Sequence, residues 1–467
     1  MPRPPNLLLI WTDQQRNDTL PCHGNTFVQA PALKQLGEES FVFRRAYCTQ
    51  PVCTPSRGSI LTGLWPHTHG CVNNNLPLRP DTRTLAELLP AGYARAYYGK
   101  WHLGSELNAQ HGFTDWRSIE DGIYRDFYAD PADRARRSSY HDFLLRHGFV
   151  PDTTEEDGAH LFSRSFTAVM PERFTKSGYL AGEAERFLQA QRRDQPFFLS
   201  VNFLEPHPPP FGPYNDLYDP ASLPVGPAFM VPPGPDASAH ARRVAAEVHD
   251  EGFKRFPFRT PADARRLAAN YYGLVTLVDR AVGRILAALD AAGLAEDTLV
   301  VFTSDHGEQL GDHALVQKGT FYEQSTRIPL MLRVPWLGRR QVMLDGPVSQ
   351  VDLVPTLLEL MGLDRPAHLQ GRSLAEALRD PRRPGGDVVV EWNDAKRPDE
   401  EGRCLVTPDG WKLNRYRSGH VELYDLNADA AELRNLAAAP AQAGRVRELT
   451  GRLRAWQQQT GDPLAVA

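Results

Sequence analysis

The chain has 467 residues, room for two or three average domains or for one large α/β domain with an appendage. Apolar residues make up 41%, ample for a large core, and 52 Lys plus Arg against 57 Asp plus Glu leave a net charge of −5. That balance gives no support for nucleic acid as a partner, and five cysteines at no zinc spacing indicate neither a zinc site nor a disulfide framework.

In chain order, residues 6–11 form a short continuous apolar run, as expected of a strand buried on both faces of a parallel sheet. The run is too short for the core of a signal peptide, and no stretch approaches membrane-spanning length. The plain expectation is a cytoplasmic protein with no membrane partner. Residues 94–98, 197–203 and 298–304 read as further strands. Thr260 and Pro261 open a long helix whose buried face carries Leu267, Tyr271, Leu274, Val278, Val282, Ile285 and Leu289, with Gly293 at its end. Strands alternating with helices predict an α/β fold, a large mostly parallel sheet flanked by helices. Residues 105–186, rich in Asp, Arg, Tyr and His, read as insertions above that sheet, where specificity usually resides. After the R-P-G-G-D turn, short strands at V-V-V-E-W, W-K-L-N-R-Y-R and V-E-L-Y-D-L precede a helix with Val446, Leu449, Leu453 and Trp456. The expected division is 1–380 and 381–467, the second part a small antiparallel α+β domain.

One segment carries more chemistry than any other: C-T-P-S-R-G-S-I-L-T-G, residues 53–63. Alone, a free cysteine is usually a small buried hydrophobe. Here Thr54 suits an N-cap, Pro55 a first helical position and Gly63 a helix end, so Cys53 is expected just outside a helix N-terminus. Such an end attracts anions, and Arg57, one turn in, can return toward it.

Two further pairs follow strands: Asp13 and Gln14 after the first run, Asp305 and His306 after residues 298–304. Ligands of open α/β sheets bind beyond the carboxyl ends of the strands, so these distant pairs can converge. Two carboxylates, an amide oxygen and an imidazole make a plausible site for one divalent ion. In G-K-W-H-L-G, an extended backbone would point Lys100 and His102 to one face.

The Cys53 segment resembles the signature of the sulfatase family, in the alkaline phosphatase superfamily, and the resemblance runs from about residue 6 to 371, with E-L-Y-D-L similar to the family's C-terminal region. It implies the alkaline-phosphatase-like fold and hydrolysis of sulfate esters by a formylglycine made from Cys53 by a formylglycine-generating enzyme. It implies one divalent metal on Asp13, Gln14, formylglycine 53, Asp305 and His306. The D-Q and D-H pairs occur in choline-sulfatase-like and phosphonate-monoester-hydrolase-like members; calcium is expected, with manganese the alternative. By the same resemblance Lys100 and Lys318 bind sulfate, His102 contacts the formylglycine hydroxyl, His207 serves the leaving group, and Asn74 touches an ester oxygen. Arg57 is expected to hold sulfuryl oxygens, and His313 to be structural. A small sulfate ester is the expected substrate and a homo-oligomer is possible. The readings in competition are a phosphonate monoester or phosphodiester hydrolase on the same site, a two-zinc phosphatase, and an unmodified binding protein.

Overall fold

The computed structural model describes residues 4–121, 133, 135–155, 158–254, 256–383 and 385–464. Eight strands form the main sheet: β1 (Asn6–Asp13), β2 (Phe41–Phe43), β3 (Ala94–Gly99), β4 (Asp115–Arg117), β5 (Phe197–Pro206), β6 (Thr298–Ser304), β7 (Leu330–Arg333) and β8 (Val342–Leu344). Their order is β8-β2-β7-β6-β1-β5-β3-β4. The strands from β6 to β4 run parallel, and β7 is antiparallel to both of its neighbours. β1 lies at the centre, and alternation sends its residues to two separate cores: Leu8 and Ile10 to one, Leu7, Leu9 and Trp11 to the other. Both faces are therefore covered, which is why β1, β5 and β6 are buried along their whole length and mostly apolar.

On the first face lie α2 (Lys176–Ala190) and α4 (Pro261–Ala291). The α4 boundaries follow the expected signals: Thr260 caps it in a reciprocal box with Asp263, Pro261 is its first residue, and all seven expected core residues are buried. On the other face packs α1 (Cys53–Thr62), all ten of whose residues are buried. Between them in sequence, α3 (Ala239–Glu251) lies nearer the surface. The insertion expected at 105–186 is more regular than its composition suggests. It contains the edge strand β4 and most of α2, whose Tyr179, Leu180 and Ala184 pack into the sheet core. Residues 122–132, 134 and 156–157 of that stretch lie outside the described residues.

Four antiparallel strands make the second sheet: β9 (Val388–Trp392), β10 (Gly402–Val406), β11 (Trp411–Tyr416) and β12 (Val421–Asp425), with α5 (Ala443–Thr460) on one side. The strand β10 was not among the expected elements. Its residues divide by alternation: Leu405 faces α5, while Cys404 and Val406 join the same core as Leu7 and Leu9. The two sheets thus share apolar packing. Among the described residues no helix is long and apolar enough to cross a membrane.

Candidate active site

Parallel pairing assembles the site. Thr12 of β1 stands opposite Ser304 of β6, so Asp13 and Asp305 emerge side by side, and the Asp305 N–H donates to the Thr12 carbonyl at 3.1 Å. β5 and β3 end at the same edge and deliver His207 and Lys100. Gly99 has φ +121°, and a Cβ there would stand 1.9 Å from the Asn202 carbonyl oxygen. Only glycine allows that approach, which turns Lys100 inward.

The helix α1 begins at Cys53 with Val52 as its cap, two residues earlier than expected, so Cys53 is its first residue rather than just outside it. Thr54 is not the cap because its hydroxyl donates to the His102 carbonyl (2.9 Å). The Thr54 N–H is taken instead by Asn74 Oδ1 at 3.1 Å, so the structure gives Asn74 a capping contact. Gly63 ends the helix in the left-handed region, as expected.

Cys53 Sγ lies 3.3 Å from His306 Nε2 and 3.7 Å from Asp13 Oδ1. Ligand atoms of Asp13, Cys53, Asp305 and His306 all fall within 4.8 Å of one another, and all four residues are buried. The carboxylates divide their oxygens. Asp13 Oδ2 accepts from Lys100 Nζ (2.6 Å) and Arg57 Nη2 (2.7 Å), and Asp305 Oδ2 accepts from the same Arg57 nitrogen (2.9 Å). The Oδ1 atoms face the imidazole, 3.7 Å and 3.5 Å from His306 Nε2. His306 Nδ1 lies 3.0 Å from the Gly307 carbonyl, which can only accept, so Nδ1 carries a proton and Nε2 is the nitrogen turned to the cluster; burial lowers the basicity of the ring, but Asp305 and Cys53 outweigh it and raise it. Two carboxylate oxygens, one imidazole nitrogen and residue 53 fit a divalent cation. Gln14, at φ 70°, donates its N–H to Asp305 Oδ1 (2.9 Å), while its side-chain oxygen accepts from Lys318 Nζ.

Burial would raise the Asp13 carboxyl, but Lys100, His207, Arg57 and Lys318 hold it well below the usual range. Burial and Asp13 push the Cys53 thiol up; Lys100, Lys318 and His306 outweigh them and lower it. Burial, reinforced by Lys100 and Arg57, keeps His102 well below the ordinary imidazole value. His207 is depressed by burial and by Lys318 and Lys100, against the pull of Asp13.

Two expectations change. Arg57 is fully buried, and its Nη atoms serve Asp13, Asp305, Asn202 Oδ1 and the Lys100 carbonyl, with Trp11 stacked 4.9 Å away. It stands behind the carboxylates as a positioning residue, because its charge is consumed there. The 100–102 segment is not extended: His102 has φ 57°, and Glu106 accepts from the Trp101 and His102 N–H groups at 2.9 and 2.7 Å. Lys100 and His102 converge through a tight turn rather than through strand alternation. His313 stacks on Tyr322 at 3.6 Å, a packing role as expected.

Sequence reasoning missed Asn75, whose Oδ1 lies 2.8 Å from His102 Nε2, and Gln350. The Gln350 amide donates to the Asp305 carbonyl (2.7 Å) and accepts from Ser56 Oγ (2.9 Å) and the Thr49 N–H (3.0 Å), stapling α1 to the end of β6. A polar residue at position 350 carries no spacing signal that could have marked it.

A sulfatase family model matches residues 5–363, and a model described as the C-terminal part of N-sulphoglucosamine sulphohydrolase matches residues 311–459. The chain is 29% identical to the multifunctional alkaline phosphatase superfamily protein PehA of Trinickia caryophylli, over 98% of this chain and 96% of that one. It is 30% identical to the uncharacterized sulfatase YidJ of Escherichia coli K12, over 92% and 83%. Among solved structures it is similar to the phosphonate monoester hydrolase SpPMH of Silicibacter pomeroyi, with TM-score 0.79 at 25% identity over 98% and 96% of the chains. The chain belongs to the sulfatase family of the alkaline phosphatase superfamily and is a sulfuric ester hydrolase.

Proposed function

We propose that this hydrolase converts sulfate monoesters to alcohol or phenol and inorganic sulfate through a formylglycine made from Cys53 by a formylglycine-generating enzyme. Asp13, Asp305, His306 and residue 53 hold one divalent cation, with the Gln14 oxygen as a further ligand; calcium is our assignment and manganese the alternative. The observation that supports this most is the position of Cys53: it opens a fully buried helix, in contact with His306 and Asp13.

When bound, the cation supplies positive charge that favours an ionised nucleophile and balances the sulfuryl oxygens. One hydroxyl of the hydrated aldehyde attacks sulfur, and the ester oxygen departs. Lys100 and Lys318 hold the sulfuryl oxygens. His207 donates its Nδ1–H to the Pro208 carbonyl (2.8 Å), which leaves Nε2 for the leaving oxygen; the ring takes up a second proton at Nε2 from solvent when the anionic ester binds and passes that proton to the departing oxygen, with Lys318 beside it. His102 donates from Nε2 to Asn75, and its depressed basicity keeps it neutral. It takes the proton of the second hydroxyl at Nδ1, the C–O bond to sulfate breaks, and the aldehyde reforms.

The test has two parts. The Cys53 peptide should be about 18 Da lighter than an unmodified one when a formylglycine-generating enzyme is present. Cys53→Ala should abolish turnover of nitrophenyl sulfate; full activity in that variant, or an unchanged mass in active protein, overturns the reading.

A second reading, phosphonate monoester hydrolysis on the same site, is favoured by the likeness to SpPMH and by the Gln14 and His306 pattern. Rates on nitrophenyl sulfate and on a phenylphosphonate monoester, measured side by side, decide between them. The five unbridged cysteines suit a reducing compartment, and the cytoplasm is the location we propose.

A further inference from the structure

Lys318 is carried by a loop, and the structure shows what holds that loop. Gly319, the next residue, lies in the left-handed region at φ +97°. Its N–H donates to Ser325 Oγ at 3.2 Å, and its carbonyl accepts from His240 Nε2 at 2.7 Å. His240, 6% exposed at the start of α3, is the hub of this arrangement. Its Nδ1 lies 2.7 Å from Glu400 Oε2, and its ring lies 4.7 Å from that of Trp392. The Gly319 carbonyl can only accept, so Nε2 donates to it, while Nδ1 sits between Glu400 Oε2 and Arg243 Nη2, the latter 3.1 Å away. Arg243 binds both Glu400 oxygens, at 3.0 and 2.7 Å, and so fixes the carboxylate that fixes the imidazole. Trp392 also closes over Gly319: a Cβ at 319 would meet its ring at 3.1 Å.

We propose that His240 is a positioning residue for Lys318. Held by Glu400 and Trp392, it pins the 319–320 peptide linkage while Ser325 Oγ holds the 318–319 linkage, so that Lys318 Nζ reaches Gln14 at the active site. The inference rests on the reading that Lys318 acts there. Glu400 and Trp392 come from the C-terminal segment, so His240 is the link from that segment to Lys318. None of the three residues touches the reacting atoms, and a side chain displaced by about 1 Å can cost 10²-fold in rate.

The experiment is a double-mutant cycle in the metal-loaded, formylglycine-bearing enzyme, read as kcat and KM on phenyl sulfate and nitrophenyl sulfate. His240→Leu should lower kcat by about 10- to 100-fold. The loss should be larger on phenyl sulfate, whose poorer leaving group depends more on Lys318 and His207. His240→Gln, which keeps one N–H donor for the Gly319 carbonyl, should recover part of kcat. In a Lys318→Ala background, His240→Leu should cost little more. If Lys318→Ala is itself harmless, the active-site reading of Lys318 fails and this inference with it. If Lys318→Ala is impaired while His240→Leu is silent, or adds its full loss in the double variant, this inference alone is overturned. A lowered melting temperature with kcat, KM and leaving-group dependence unchanged in both His240 variants overturns it as well.

Discussion

The floor and the rim of the site are built on opposite principles. Asp13, Arg57, Lys100, Asp305 and His306 on the floor are completely buried, and their charges are matched within one network. His207 and Lys318 on the rim are half-buried and Asn75 is exposed; all three lie on loops. A buried charge without its partner is costly, so the floor exists only as a complete set. Rim residues meet solvent and can be exchanged with less structural consequence. The difference teaches where binding order and fold stability are coupled: in the floor they are one property, and in the rim they are separable.

Arg57→Met should break that comparison most visibly if the floor is not a unit. Removing the guanidinium leaves Asp13 and Asp305 facing each other with Lys100 alone, and the expected loss is about 3–5 kcal/mol of stability. Turnover should fall with it. A thermal melt and a titration with calcium or manganese check both halves; an unchanged melting temperature would show that the carboxylates do not need this partner.

His207→Ala sharpens the other side. Proton delivery by a positioned side chain contributes roughly 10²–10⁴-fold, so kcat on phenyl sulfate should fall by that order while the melting temperature stays close to that of the parent. Nitrophenyl sulfate, with its better leaving group, should suffer less. Equal losses on both substrates would remove His207 from leaving-group duty.

How much of this could be read from the chain follows the same division. The floor was legible because its residues sit directly after strands: Asp13, Asp305 and Lys100 are placed by sheet geometry, and β1 and β6 announce themselves as short apolar runs. Lys318 and His207 were named through the family resemblance. Their loops carry no periodicity, and the fixing contacts span 79 and 160 residues, as from His240 to Gly319 and Glu400. The role of Arg57 was misjudged for a physical reason. A helix N-terminus suggests charge offered to an anion, whereas packing consumed that charge on two carboxylates already present. The strand β10 was missed because G-R-C-L-V places a glycine and an arginine in a strand that only tertiary packing stabilises. Arg403 within it is balanced by Asp462, at 2.6 and 2.9 Å.

The smallest effect tests whether the floor is rigid independently of what surrounds it. His67 follows α1 and ties its far end to the second sheet: Nδ1 lies 2.7 Å from Glu391 Oε1 and Nε2 lies 3.2 Å from the Thr460 carbonyl. Two acceptors demand two protons, so the ring is held as imidazolium. Burial would lower its basicity, but the Glu391 carboxylate outweighs that and raises it. The folded value therefore exceeds the unfolded one of about 6.5, and the stabilisation is present in full below that pH and lost as pH rises through the folded value. His67→Gln should cost about 1–2 kcal/mol at pH 5.5 and progressively less toward pH 9. Subtracting variant from parent at each pH isolates His67 from other groups titrating in the same window, among them Glu106 and Glu432, both pushed up to about 7 by burial. If the floor is self-sufficient, kcat measured at 25 °C in the same buffers should be equal in parent and variant. A kcat difference that grows as the pH falls would instead show that the Cys53 helix needs its distal anchor to hold the nucleophile in place.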